Sequence, residues 1–399
     1  MTDPYTEMIG EAIMRKLLYI FICAALLCGC ATPAAETAPT QTATEETLMT
    51  TVPETTAQTV PETTAPPDPI RELLDHMTLE ERVGQLFLAR YPQTGALEDL
   101  RKYHLAGYIL FAVDLEGKTP EDVKGQLEGL QEAAHVPLLI AVDEEGGTVT
   151  RVSCFPAFRE VPFRSPRAYF REGGMEAVLA AEEEKALLLR GLGINVNMGP
   201  VADMAWDAGS FIYQRSLGQD ALTTGQFVGG TVEVYSRHSL GSVLKHFPGY
   251  GGNGDTHTGA ALDRRSLGTL EAGDLIPFRM GIEAGCGAVM VSHNTVTALD
   301  PDLPASLSPQ VYRYLRQELG FEGVTVTDDL AMGAIGAHFA PGEAAVQAVL
   351  AGSDLLCCSD YAIQYEAVLA AVLEGRISID RLNEAVTRVL EWKQALGLI

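Results

Sequence analysis

The sequence predicts an α/β fold, a (β/α)8 TIM barrel forming a single domain behind a disordered N-terminal tether. Three observations predict it. Eight short apolar or β-branched runs recur with helical patterns between them. Several of these runs end in polar residues, where a parallel barrel builds its sites. After one low-complexity stretch near the N-terminus, no second break appears before residue 399. A doubly wound sheet also places polar groups at strand ends, but eight strand candidates favour the barrel.

Residues 1–30 read as an export signal. Arg15-Lys16 precede an apolar run from Leu17 to Leu27, which is too short to span a bilayer and has the form of a secretory signal. The run ends in Leu27-Cys28-Gly29-Cys30, similar to a bacterial lipobox, which makes Cys30 the expected lipidated residue and the membrane the expected anchor. An ordinary cleaved signal or an uncleaved helix are the alternatives. Met14 suits the start of such a signal better than Met1. Residues 31–68 are rich in Thr, Ala, Pro and Glu, lack Lys and Arg, and repeat Thr-Val-Pro-Glu-Thr-Thr-Ala at 51–57 and 59–65. Such a segment buries no core. At ~3 Å per residue it reaches on the order of 100 Å.

Residues 69–399 carry the barrel. The strand candidates are 84–90, 106–112, 137–143, 194–199, 242–247, 288–294, 323–329 and 352–358. The helical candidates are 120–134, 174–191, 220–237, 268–284, 308–319, 341–350, 361–374 and 380–395. Asp143, Lys245-His246, His293-Asn294 and Asp328-Asp329 each close an apolar run.

Composition narrows the partners. Acidic residues number 53 and basic residues 28, a formal charge of −25, which argues against nucleic acid or a bare anionic membrane surface. Of seven cysteines, Cys23, Cys28 and Cys30 lie in the signal. The remainder form neither a zinc spacing nor a disulfide framework.

The richest motif runs from Lys245-His246-Phe247-Pro248-Gly249 to Asp255-Thr256-His257. A strand ends in a cation and an imidazole and meets a glycine-rich loop, which permits close approach to a ligand. Asp255 and His257 are spaced for a carboxylate to orient an imidazole for proton transfer. A structural turn, or a metal site of His246, Asp255 and His257, are the other readings. Asp328 stands where a nucleophile or base would stand, and an N-cap is its plainer role. Asp329 beside it alternates in direction, so one of the pair can act while the other caps. Asp143 and Arg151 suit sugar hydroxyls or an ordinary ion pair, and Arg215 is uninformative alone. His293, at a strand end, reads as a supporting residue. The other histidines and Cys357-Cys358 read as surface, core or rim.

Taken in order, these motifs resemble glycoside hydrolase family 3, in its single-domain β-N-acetylglucosaminidase branch. The likeness starts at Asp75-His76-Met77-Thr78-Leu79-Glu80-Glu81 and passes through Asp143-Glu144-Glu145-Gly146-Gly147 and Arg215-Ser216-Leu217-Gly218. It closes on Pro304-Ala305-Ser306-Leu307-Ser308 and Thr327-Asp328-Asp329-Leu330-Ala331-Met332. The resemblance implies one catalytic domain with Asp328 as nucleophile, Asp255 and His257 as the acid/base pair, and Asp143, Arg151, Arg215, Lys245 and His246 holding the terminal sugar. It implies retaining hydrolysis of terminal β-linked N-acetylglucosamine without metal or cofactor. An exported, lipid-anchored enzyme of this kind suits peptidoglycan fragments, with chitin oligosaccharides or host glycans as alternatives. A β-glucosidase or phosphorylase of the same family, or a non-catalytic sugar-binding lipoprotein, are the rival functions, and oligomeric state stays open. The family often has His where this chain has Tyr250, and the loop from His246 to Asp255 is about one residue short.

Overall fold

The computed structural model describes residues 68–257 and 259–399, all within the compact unit Thr64–Ile399. The expected signal, Cys30 and the expected tether up to residue 67 lie outside the described residues. Asp68 accepts a hydrogen bond from the Ile70 backbone and caps the first described helix, Pro69–His76.

The strands are β1 (Phe87–Arg90), β2 (Gly107–Leu110), β3 (Leu139–Val142), β4 (Val196–Asn197), β5 (Gly241–Phe247), β6 (Leu262–Asp263), β7 (Ala288–Val291), β8 (Thr295–Val296), β9 (Val324–Thr327) and β10 (Leu356–Cys358). Eight of them form one sheet in the order β10-β1-β2-β3-β4-β5-β7-β9, all paired in parallel. A parallel bridge between Val326 and Leu355 closes that sheet into a barrel. β6 and β8 make a separate two-stranded parallel sheet.

Strand alternation divides the core in two. Leu88, Ile109, Ala141, Met290, Val326 and Cys357 point into the barrel. Phe87, Tyr108, Ile140 and Leu356 point outward against the helices, as a period of two requires. From the last helix, Ile379–Ala395, Trp392 joins the inner cluster. A Cβ on Gly287, just before β7, would lie 2.0 Å from the Trp392 indole nitrogen. Trp392 therefore packs against the N-terminal ends of β5 and β7, and the site occupies the opposite end.

All eight strand candidates form barrel strands, seven of them trimmed at their ends and β5 starting one residue earlier, at Gly241. The helices differ more. Residues 268–284 divide into Leu267–Ala272 and Leu275–Glu283, because Gly273 leaves helical geometry. The helix expected at 174–191 begins at Pro166 and kinks where Gly173 and Gly174 leave helical dihedrals. The strand expected from residue 84 begins at Phe87 because Thr78 and Glu81 close a capping box on the helix Leu79–Gly84. Among the described residues, no helix is long and apolar enough to cross a membrane.

Candidate active site

A cavity of about 570 Å³ opens at the C-terminal ends of the barrel strands, lined by Asp143, Arg151, Arg215, Lys245, His246, Asp255, His257 and Asp328. A volume of this order suits a small ligand such as a sugar.

Asp143 and Glu145 follow β3 two residues apart, so an extended chain turns both to one side. The buried Lys245 ammonium meets Asp143 Oδ1 at 2.5 Å and Glu145 Oε1 at 2.6 Å. Arg215 donates to both Glu145 oxygens, at 2.9 and 2.8 Å. Burial alone would lower the Lys245 pKa, but the two carboxylates outweigh it and hold the ammonium above its ordinary value. Burial alone would raise Glu145, yet Arg215 and Lys245 hold it far below the usual carboxylate range. Glu144 is turned elsewhere. Its carboxylate accepts from the Arg151 and Val152 backbones at 2.8 and 2.7 Å and from Ser153 Oγ at 2.5 Å. The loop presenting Arg151 is thereby fixed from below. The Arg151 Nε is buried and has no hydrogen-bond partner among the described residues.

Neighbouring strand residues ordinarily face opposite ways, yet Lys245 and His246 both line the cavity. A register irregularity explains this. Leu244 pairs with Val289 and Phe247 with Val291, so β5 carries one extra residue, a bulge that re-aims its side chains. His246 Nδ1 donates to Asp203 Oδ2 at 2.7 Å. Arg215 Nη2 lies 3.2 Å from His246 Nε2. A guanidinium only donates, so Nε2 accepts and the imidazole tautomer is set from both sides. Both ring nitrogens are thus engaged. Among the described residues no group of three or more His, Cys, Asp or Glu is arranged to hold a metal ion.

Asp328 follows β9, its backbone N–H bonded to Val291 O at 3.1 Å. Burial raises its carboxyl, but His293, His246, the Asp329 N–H and His257 together bring it below the ordinary Asp value. Asp329 points away. It accepts from Ser359 Oγ at 2.6 Å, Ser359 N at 3.2 Å and Ala331 N at 2.9 Å. It makes an Asx turn ahead of the short helix Gly333–Gly336, rather than capping it directly. Buried His293 lies with Nε2 2.9 Å from Asp329 O and Nδ1 2.7 Å from Ser306 Oγ. Burial lowers its pKa. Nε2 donates in this contact, the carbonyl having no proton to give.

His257 Nδ1 lies 2.6 Å from Asp255 Oδ1, and the same oxygen accepts the His257 backbone N–H at 2.9 Å. The His257 ring packs on Phe211, with centroids 5.9 Å apart.

Every site residue expected from sequence, apart from Cys30, therefore lines this one cavity. Glu145, Asp203 and Phe211 were not foreseen. The two-residue offset of Glu145 from Asp143 is a usable signal. Asp203 and Phe211 sit in the loop after β4 with no pattern of their own.

Comparison with known proteins identifies the family. Residues 78–392 match the glycosyl hydrolase family 3 N-terminal domain. The chain is similar to a beta-hexosaminidase of Stenotrophomonas maltophilia, 34% identical over 305 residues, covering 73% of this chain and 86% of that one. Its fold is similar to a family 3 beta-N-acetylglucosaminidase from a Paenibacillus species, with a TM-score of 0.76 and 35% identity over 81% of this chain. The match spans 63% of that longer protein. A beta-N-acetylhexosaminidase from Beutenbergia cavernae gives a TM-score of 0.71 at 27% identity, over 80% of this chain and 99% of that one. The chain belongs to glycosyl hydrolase family 3.

Proposed function

We propose that the chain is a retaining β-N-acetylhexosaminidase that removes terminal β-linked N-acetylglucosamine. The observation that carries this reading is the convergence of Asp328 and the Asp255–His257 pair on one cavity. The names of the similar proteins support the substrate class.

In the first step the Asp328 carboxylate attacks the anomeric carbon while His257, as imidazolium, gives a proton to the leaving oxygen. The product is a covalent glycosyl-enzyme. In the second step neutral His257 takes a proton from water, which attacks the same carbon and frees Asp328. Asp255 holds Nδ1–H, stabilises the imidazolium and leaves Nε2 as the exchanging nitrogen. Asp143, Lys245, Arg151, Arg215 and His246 supply the donors and acceptors for the terminal sugar. The lowered Asp328 pKa keeps the nucleophile ionised at neutral pH.

The reading is tested by turnover of matched nitrophenyl N-acetylglucosaminide and glucoside, with Asp328→Ala as control. Faster glucoside turnover, or unchanged activity in the variant, refutes it. We further propose, from the N-terminal sequence, export and anchoring through Cys30 with peptidoglycan fragments as substrate. Labelling with a radioactive fatty acid, lost in Cys30→Ala, tests the anchor.

A further inference from the structure

The dyad sits on a segment with little intrinsic rigidity. Between Tyr250 and Asp255 the chain reads Gly251-Gly252-Asn253-Gly254, and glycines restrict the backbone least. An acid/base group on such a segment needs a fixed point close to the imidazole, because proton transfer depends on hydrogen-bond reach.

Thr256 is that point. Its neighbours Asp255 and His257 are 29% and 57% exposed at their side chains, whereas Thr256 itself is fully buried. The hydroxyls of Thr256 and Tyr250 share a hydrogen bond, and each is the other's partner among the described residues. The Thr256 carbonyl accepts from Ala334 N at 3.1 Å, beyond the Asp328 loop.

Tyr250 is rigidly held at its own end. It is 1% exposed. Its backbone N–H donates to Asp203 Oδ1 at 2.7 Å, the same carboxylate that orients His246. Its ring meets the His246 ring edge-on at 5.1 Å and the Phe211 ring at 5.6 Å. Phe211 is in turn the surface on which His257 rests.

We infer that Tyr250 is a positioning residue for the acid/base pair, holding Asp255 and His257 through the Thr256 hydroxyl and referencing them to the Asp203–His246 end of β5. The inference rests on the proposed role of His257. Loss of the tyrosine hydroxyl keeps the ring packing and leaves Thr256 buried without its partner. The arm then loosens while the sugar-holding residues stay in place.

The test is a double-mutant cycle of Tyr250→Phe and Thr256→Val, assayed on aryl N-acetylglucosaminides of graded leaving-group pKa. Tyr250→Phe is expected to lower kcat/KM for poor leaving groups by on the order of tenfold. It should leave good leaving groups within about twofold, so the dependence on leaving-group pKa steepens. Thr256→Val should do the same, and the double variant should lose no more than either single, the mark of one shared bond. Inhibition by N-acetylglucosamine, measured alongside, should stay unchanged. Equal losses on all leaving groups, additive losses, or weakened inhibition with an unchanged leaving-group slope would each overturn the inference. His257→Ala separates the two levels. If it too shows no leaving-group dependence, the acid/base reading has failed. If it shows that dependence and Tyr250→Phe does not, only the positioning role has failed.

Discussion

His246 donates its Nδ1 proton to Asp203 Oδ2 at 2.7 Å, with both side chains almost wholly buried. Asp203 also accepts the backbone N–H of His246 at 3.1 Å, so one carboxylate fixes both ring and main chain. Asp203→Ala is expected to lower kcat/KM by roughly 10- to 100-fold, the usual cost of losing the group that orients a functional histidine. The loss should appear both in KM for the N-acetylglucosaminide and in turnover of poor leaving groups, because Asp203 holds Tyr250 as well as His246. Steady-state kinetics on one aryl glycoside read it.

Gly333 lies against the acid/base arm from the other side. A Cβ there would sit 2.7 Å from the His257 carbonyl oxygen, backbone that yields only by displacing His257. Gly333→Ala is expected to reduce turnover of poor leaving groups by about tenfold, with the melting temperature changed by no more than a few degrees. Calorimetry beside the kinetic assay distinguishes displacement from unfolding.

Asp354 stands at the seam where β9 meets β10. Its fully buried carboxylate accepts from Arg316 at 2.5 Å and from Arg381 and Arg388 at 3.1 Å each, and from the Thr325 backbone at 3.1 Å. Asp354→Ala leaves three guanidinium groups without their shared counter-charge. A loss of about 3–5 kcal/mol in unfolding free energy is expected, read from urea denaturation. Activity well below the transition should be retained, since Asp354 does not line the cavity.

Lys393 is buried on the last helix, with Gln85 Oε1 at 2.7 Å as its side-chain partner. Burial pushes its pKa down to about 7 from the ordinary lysine value of 10.5. Between these values the unfolded chain holds a proton that the folded one lacks, so stability rises with pH across that window. Below it both states are protonated and the full cost of the buried charge remains. Lys393→Met is therefore expected to stabilise most at and below pH 7, with the difference from the parent shrinking towards pH 10.5. The orphaned Gln85 carbonyl subtracts about 1–3 kcal/mol at every pH, so the slope of the difference is the measurement.

The barrel was legible because its strands advertise themselves by runs such as Leu139–Val142 and, in several cases, by polar residues at the end of the run. The early helices were not. Ala96–Tyr103 is short, charged and entered through a left-handed Gly95, a start without a side-chain cap to signal it. In the site, local pairs such as Asp255 and His257 were readable from spacing. Asp203 was not, because its partner His246 is 43 residues away and only the fold brings them together. Tyr250 looked like an unexplained replacement in sequence. In three dimensions its hydroxyl meets Thr256, six residues on, a contact across a loop that no periodicity encodes.

The irregular pairing of β5 with β7 makes residue count a determinant of recognition. Removing one residue between Leu244 and Phe247 would restore even pairing without altering the chemistry of any group that remains. It would also leave a single position to do what Lys245 and His246 now do side by side. In this barrel an insertion or deletion of one residue is therefore a sharper lesion to sugar recognition than many substitutions.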